Sequence, residues 1–348
     1  MKLRLHHFDL KLQHPFTISR ETHTVQPTLI VELEEGGQTG YGEATSNLYY
    51  GSQIDAMMST LEVMREQIES TTLHDPIDFW HQCAPQLVDE PFVQCALDQA
   101  AYDLWGKRLG RPVHQLWGLA TEHLPLTNYT IGIDTVEMMV AKMQEYPNWP
   151  VYKIKLGTQE DLQIVRQLRQ HTTAIFRVDA NCGWTAEETV RNSQDFKNLN
   201  VEFIEQPLPA DDVDGMEVVS QHAVLPIVAD ESCITESDVE RCKELGFDGI
   251  NIKLVKCGGL TPARRMIQRA RELDLKVMVG CMTESTVGIS AIAQLLPLLD
   301  FVDMDGALLL AKDIATGVSI CNGVCEFPQV NGCGVELLPV TPDVDTAG

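Results

Sequence analysis

The sequence predicts an α/β fold: a (β/α)8 barrel of the TIM type behind an N-terminal α+β capping domain. Three observations predict it. From about residue 125 to 320, eight short apolar runs alternate strictly with helix-length segments, the rhythm of a parallel sheet closed on itself. The first 120 residues keep a different rhythm, strands first and helices afterwards. Most of the eight runs also finish in Asp, Glu or Lys, and a buried strand tolerates such groups only where they are paired or bind something.

Met1–Leu12 and Pro27–Glu35 alternate at period two and read as strands, with Gly36-Gly37 as the turn into a third strand near Thr39–Glu43. Asp55–Glu69 and Val93–Leu109 have helical periods. In the second, Val93, Ala96, Leu97, Ala100, Leu104 and Trp105 share one face, and Gly110-Arg111-Pro112 ends the helix. Barrel strands are expected at Tyr129–Gly132, Val151–Lys155, Phe176–Asp179, Glu202–Glu205, Ile227–Asp230, Gly249–Lys253, Lys276–Val279 and Phe301–Asp303. The rival doubly wound open sheet is disfavoured because no Gly-rich phosphate turn follows the first of these. The tail after Gly317, rich in Gly, Pro and Cys, is expected to fold back on the N-terminal unit. The capping domain then comprises residues 1–120 completed by about 321–348, and the barrel residues 121–320.

Composition removes several function classes. A chain of 348 residues with 44% hydrophobic and 22% charged residues has the balance of a soluble globular protein. Fifty acidic residues against 26 basic ones give a net charge of -24, which repels phosphate backbones, so nucleic acid is not an expected partner. No apolar run is long enough to span a membrane, and MKLRLHHFDLKL alternates where a signal peptide needs an unbroken apolar stretch; no membrane partner and a cytoplasmic location are expected. The ten cysteines form no CxxC, and Cys321, Cys325 and Cys333 have no fourth zinc ligand in sight, so reduced thiols are expected.

The chemistry lies at the strand ends. Lys153, Lys155, Asp179, Glu205, Asp230, Lys253, Asp303 and Asp305 come from six strands, and in a (β/α)8 barrel all strand C-termini open into one mouth. Asp179, Glu205 and Asp230, on neighbouring strands, suit a hard divalent cation such as Mg2+. A metal-free network of Asp, Glu and Lys is the competing reading. Lys153 and Lys155 are two apart and share a face, so each should feel the other's charge, which lowers a lysine pKa and makes a neutral amine available as a base. Lys253 comes from the far side of the barrel. A base on each side of a carbon can remove a proton from one face and return it to the other, while a metal stabilises the enediolate between. Asp303 and Asp305, also two apart, offer paired acceptors to a cation. A loop turn or helix cap is their bland alternative.

With KIK at 153–155, VDAN at 178–181, IEQP at 204–207, ADES at 229–232 and NIKLVKCGG at 251–259, the chain resembles the enolase superfamily, and within it the muconate-lactonizing-enzyme subgroup, over nearly its whole length. The resemblance implies Asp179, Glu205 and Asp230 as Mg2+ ligands, Lys155 and Lys253 as the acid/base pair, and Lys153 as the residue that tunes Lys155. FVDMDGALLL at 301–310 resembles the DxD motif of dipeptide epimerases, implying that Asp303 and Asp305 grip a substrate ammonium. The implied partner is then a small dipeptide, of L-Ala-D/L-Glu type or another; a homo-oligomer is left open. N-acylamino acid racemase, muconate cycloisomerase and o-succinylbenzoate synthase are alternatives on the same site, and a non-catalytic binding barrel is the remote one. Specificity is expected from the capping loops, TISRETHT at 17–24 and Asn47–Gly51. Related L-Ala-D/L-Glu epimerases hold the glutamate carboxylate with an arginine in the first loop; Arg20 is the candidate here, although its spacing from Pro15-Phe16 differs and His23 falls nearer that place. Glu284, after the seventh strand, is read as a plain loop acid in preference to one that faces a cationic side chain.

Overall fold

The computed structural model describes residues 1–339. The chain opens with a three-stranded antiparallel sheet, β1 (Lys2–Thr17), β2 (Thr22–Glu35) and β3 (Gln38–Thr45), in that order. β2 is buried on both faces, as its apolar run of Leu29, Ile30 and Val31 dictates: Leu29, Val31 and Leu33 join the main core, while Ile30 packs with Val287, Ala315 and Val335 on the other side. The TISRETHT segment is not the open loop expected. β1 and β2 continue through it, pairing Phe16 with His23 and Thr17 with Thr22, and leave only Ile18–Glu21 as a turn closed by the Ile18 N–H donating to the Glu21 carbonyl at 3.0 Å.

Three helices follow. In α1 (Ile54–Ser70) the buried residues Ile54, Met57, Leu61, Met64 and Ile68 recur at three or four, one amphipathic face. α2 (Pro76–Cys83) starts on Asp75, whose carboxylate accepts from the Ile77 N–H at 2.7 Å. α3 (Pro91–Leu109) ends on Gly110 in the left-handed conformation, φ 67°. The single apolar face expected of α3 is corrected: Gln94, Asp98, Gln99 and Asp103 are buried too, and Trp105 is only half-buried. The reason is position, because β3 packs on one side of α3 and the barrel on the other. The contact with β3 is backbone on backbone. A Cβ on Gly42 would sit 2.0 Å from the Ala96 carbonyl oxygen, and one on Gly40 would sit 2.3 Å from that of Ala100.

After the short α4 (Val113–Leu116) come eight parallel strands: β4 (Tyr129–Ile131), β5 (Val151–Lys155), β6 (Ile175–Asp179), β7 (Val201–Glu205), β8 (Ile227–Ala229), β9 (Gly249–Lys253), β10 (Lys276–Gly280) and β11 (Phe301–Asp303). Each pairs with the next in sequence, and a parallel bridge between Thr127 and Val302 closes the ring. The connecting helices α5 (Val136–Glu145), α6 (Asp161–Arg169), α7 (Ala186–Lys197), α8 (Val213–His222), α9 (Asp238–Glu244), α10 (Leu254–Cys257), α11 (Leu260–Glu272) and α12 (Thr286–Ala293) complete the (β/α)8 arrangement. Every expected barrel strand is present to within a residue at either end. Past β11 the chain divides. A hairpin of Ser319–Cys321 and Val324–Glu326 lies by the N-terminal ends of β4 and β5, where Gly323 accepts from the Thr127 N–H at 2.9 Å and touches Pro150. Gly332 and Cys333 return to the first unit: Gly332 exchanges backbone hydrogen bonds with Arg111 and Val113, and the Cys333 N–H donates to Asp103 at 2.8 Å. The last part of the expected tail, 340–348, lies outside the described residues.

Candidate active site

Strand register sets the site. Lys155 on β5 lies opposite Asp179 on β6, and Asp179 opposite Glu205 on β7, so three charged groups stand at one level of the barrel mouth. Asp230 follows β8 and Lys253 closes β9. Asp179, Glu205 and Asp230 are each at most 1% exposed, and each offers a carboxylate oxygen within 4.8 Å of the others. The lysines bind these acids directly. Lys155 Nζ donates to Asp179 Oδ2 at 2.7 Å, and Lys253 Nζ lies 2.9 Å from Asp230 Oδ2.

Lys153 differs from its sequence expectation. Its Nζ lies 3.2 Å from Asp179, 2.8 Å from Glu205 and 2.7 Å from Asp303. Burial works against its charge, but Asp303, Glu205 and Asp179 outweigh burial and hold its pKa well above the ordinary lysine value. The sequence counted the like charge two residues away and missed the carboxylates that three other strands bring closer. Burial likewise opposes the charge of Lys253, and Asp230 overcomes it and raises the pKa.

The carboxylates answer in opposite directions. Burial works to raise the Asp230 pKa, yet Lys253, Lys256 and Lys153 hold it well below the usual range. Burial and the adjacent Asp179 charge push Glu205 up to about 7. Glu205 Oε1 accepts from Asn251 at 2.8 Å, and Oε2 is paired with the Lys153 ammonium at 2.8 Å. Three buried carboxylates with converging oxygens fit a hard divalent cation in oxygen coordination. Asn251, Lys256 and Gln206 were not singled out from the sequence. Lys256 Nζ donates to Asp230 Oδ1 at 2.6 Å and to the Cys233 carbonyl at 2.9 Å; Gln206 Oε1 accepts from the Asp230 N–H at 2.9 Å. The available signal for Asn251 was NIK, which places it on the same strand face as Lys253.

Asp303 and Asp305 are both buried and line one cavity of about 320 Å³ together with Lys155, Lys253, Glu231 and Arg20. Their environments diverge. Asp303 accepts from Lys153 at 2.7 Å and Asn128 Nδ2 at 2.8 Å, and although burial disfavours its charge, Lys153 lowers its pKa. Asp305 takes the Thr130 N–H at 2.5 Å and the Thr130 hydroxyl at 3.2 Å; burial and the Asp303 charge raise its pKa far above the usual value.

Arg20 and His23 also reach this cavity. Arg20 is bound within the protein, with Nη1 and Nη2 both 2.9 Å from Glu231 Oε1. His23 pairs with Glu21 at 3.0 Å on the hairpin. Glu284 is not a plain loop acid. It is 3% exposed, accepts from the Met282 N–H at 2.8 Å, and is pushed up to about 8 by burial and by Glu43. Glu43, on β3, in turn accepts from the Ser285 and Gly288 N–H groups at 3.0 and 2.9 Å, anchoring the start of α12.

Comparison with known proteins finds relatives over nearly the whole chain. Residues 2–118 match the mandelate racemase / muconate lactonizing enzyme N-terminal domain, and residues 135–340 match the enolase C-terminal domain-like family. An L-Ala-D/L-amino acid epimerase of Flavobacterium johnsoniae is 57% identical over 97% of this chain and 100% of its own. A protein of the same name from a Maribacter species is also 57% identical, over 97% of this chain and 99% of its own. The dipeptide epimerase of Cytophaga hutchinsonii, solved with Mg and the dipeptide D-Ala-L-Val, superposes with a TM-score of 0.91 at 26% identity, covering 97% of this chain and 95% of that one.

Proposed function

The chain belongs to the mandelate racemase / muconate lactonizing enzyme family of the enolase superfamily, and on that premise we infer that it is a dipeptide epimerase with Mg2+ as its cofactor. Its substrate is an L-Ala-D/L-amino acid dipeptide, the class that names its two relatives at 57% identity. Asp179, Glu205 and Asp230 would hold the metal, which would supply a Lewis acid to the substrate carboxylate.

The carrying observation is the pair of lysines. Lys155 on β5 and Lys253 on β9 face one cavity from strands four apart in an eight-strand ring. A carbon held between them presents one face to each Nζ. Lys155 Nζ takes the α-proton from one face and Lys253 Nζ delivers a proton to the other; in the reverse direction the roles exchange. Lys153 stays charged among its carboxylates and acts as a fixed cation beside Asp179 and Glu205. Asp303 and Asp305 receive the ammonium of the N-terminal residue, which fixes the distance from that end of the dipeptide to the reacting carbon. Burial of these groups keeps water from competing for the ammonium.

A dipeptide library incubated with Mg2+ in D2O tests this, with deuterium at the α-carbon read by mass spectrometry. Exchange is expected in a subset of L-Ala-Xaa dipeptides. Lys155→Ala and Lys253→Ala should each lower turnover by about 10²–10⁴-fold while the fold persists. Undiminished turnover in either variant rules out the two-base assignment.

A further inference from the structure

The cavity contains an ion pair that the two-lysine chemistry does not use. Arg20 projects from the turn between β1 and β2, bonds Glu231 Oε1 through both terminal nitrogens at 2.9 Å, and gives one further hydrogen bond to the Asn181 carbonyl at 3.2 Å. The Tyr49 ring covers the guanidinium, its centroid 4.3 Å from the central carbon. Glu231 follows Asp230 directly, its side chain is only 2% exposed, and its other oxygen, Oε2, is buried without a hydrogen bond. Arg20 keeps 30% of its side chain exposed. The neighbouring cavity wall mixes apolar Phe16, Ile18, Leu48 and Met282 with polar groups, among them Glu21 and His23, which are paired with each other at 3.0 Å.

We propose that Arg20 and Glu231 act together as a charge-neutral wall of the pocket for the C-terminal residue's side chain, selecting uncharged side chains. This rests on the dipeptide epimerase reading above. Each partner cancels the other while they remain bonded. An acidic side chain would need to draw Arg20 away and so leave the Glu231 carboxylate buried and unpaired, an arrangement that is strongly disfavoured. A basic side chain would meet the Arg20 charge first and would have to displace it from Glu231. Neutral side chains need neither exchange and gain contact with the apolar residues of the wall. The pair is therefore a device of exclusion in both directions. It differs from a free arginine clamp in that its preference reverses with whichever partner is removed.

The test compares kcat/KM for L-Ala-L-Met, L-Ala-L-Glu and L-Ala-L-Lys in one assay. Wild-type enzyme should favour L-Ala-L-Met over both charged dipeptides. In Glu231→Gln, Arg20 is released, and the Glu/Met ratio of kcat/KM should rise by about tenfold or more; in Arg20→Met, Glu231 is released, and the Lys/Met ratio should rise by a similar factor. Ratios within one variant cancel any general loss caused by a change next to Asp230. Arg20 stands on a half-exposed turn, so its variant provides a readout even if Glu231→Gln folds poorly. A wild-type preference for either charged dipeptide, or an unchanged Lys/Met ratio in Arg20→Met, overturns the proposal while leaving the epimerase assignment standing. Absence of exchange in every dipeptide would overturn both.

Discussion

At the scale of single residues, the site was legible wherever an ionisable group had no other reason to end an apolar strand. Asp179, Glu205, Asp230, Lys155 and Lys253 stand out because burying each charge alone would be prohibitive. Lys256 and Asn251 did not, since their work is to hold another side chain. A lysine three residues beyond a strand looks like any solvated lysine until Asp230 is found beside it. The Arg20–Glu231 bond joins residues 211 apart, and no local pattern reports it. The same limit misread Lys153, whose three carboxylate neighbours lie on β6, β7 and β11. These contacts also decide which aspartate gives the cleaner test of ammonium binding. Asp303 is tied to Lys153, whereas Asp305 accepts from the Thr130 N–H and hydroxyl. Asp305, whose pKa burial and Asp303 raise, becomes a carboxylate only with an ammonium beside it, so Asp305→Asn should raise KM for dipeptides by about 10–100-fold and leave Mg2+ affinity within about twofold of wild type. An unaltered KM would remove Asp305 from the ammonium site.

At the scale of elements, strand positions followed from period and spacing, and the eight barrel strands needed little else. What the sequence could not convey was how elements press on one another. α3 carries polar residues on every side, which reads as an exposed face, yet Asp98 and Asp103 are buried because they serve the backbone of other segments. Asp98 accepts from the Thr261 N–H at 2.8 Å and Asp103 from the Tyr41 N–H at 3.0 Å. α12 shows the same trade with acids. Glu43 grips its first turn, and Glu284 lies close enough to Glu43 for the two charges to oppose each other. Glu284 holds its proton up to about pH 8 in the folded protein, while an unfolded glutamate releases it near pH 4.3. Between those values the folded state binds the extra proton, so stability falls as pH rises, at about 1.4 kcal/mol per pH unit for one proton. Asp98, raised to about 7 by burial, adds a decline in the same direction. The midpoint of thermal unfolding should drop from pH 5.5 to pH 8.5, and Glu284→Gln should make that drop shallower. Parallel pH curves for the variant and the wild type would show that Glu284 contributes nothing.

At the scale of the whole molecule, the sequence told a barrel from an open sheet by counting strands, and it told the antiparallel unit from the barrel by a change of rhythm. It could not tell how closely the two are joined. Three like charges at the barrel mouth repel one another, and Glu205 is raised to about 7 for that reason among others. A bound divalent cation relieves this repulsion in the folded chain only. Mg2+ at a hundred times its dissociation constant should therefore stabilise the protein by about 2.7 kcal/mol, visible as a rise in unfolding temperature of several degrees that EDTA reverses. Asp230→Asn should remove most of that rise; retention of it would place the metal elsewhere. The return of Gly332 and Cys333 to Arg111, Val113 and Asp103 has a further consequence, which concerns time. On the ribosome, α3 and its sheet emerge more than two hundred residues before the segment that completes them. Throughout that interval the carboxylate of Asp103 lacks the Cys333 amide, so the first part of the protein to be made is among the last to be finished.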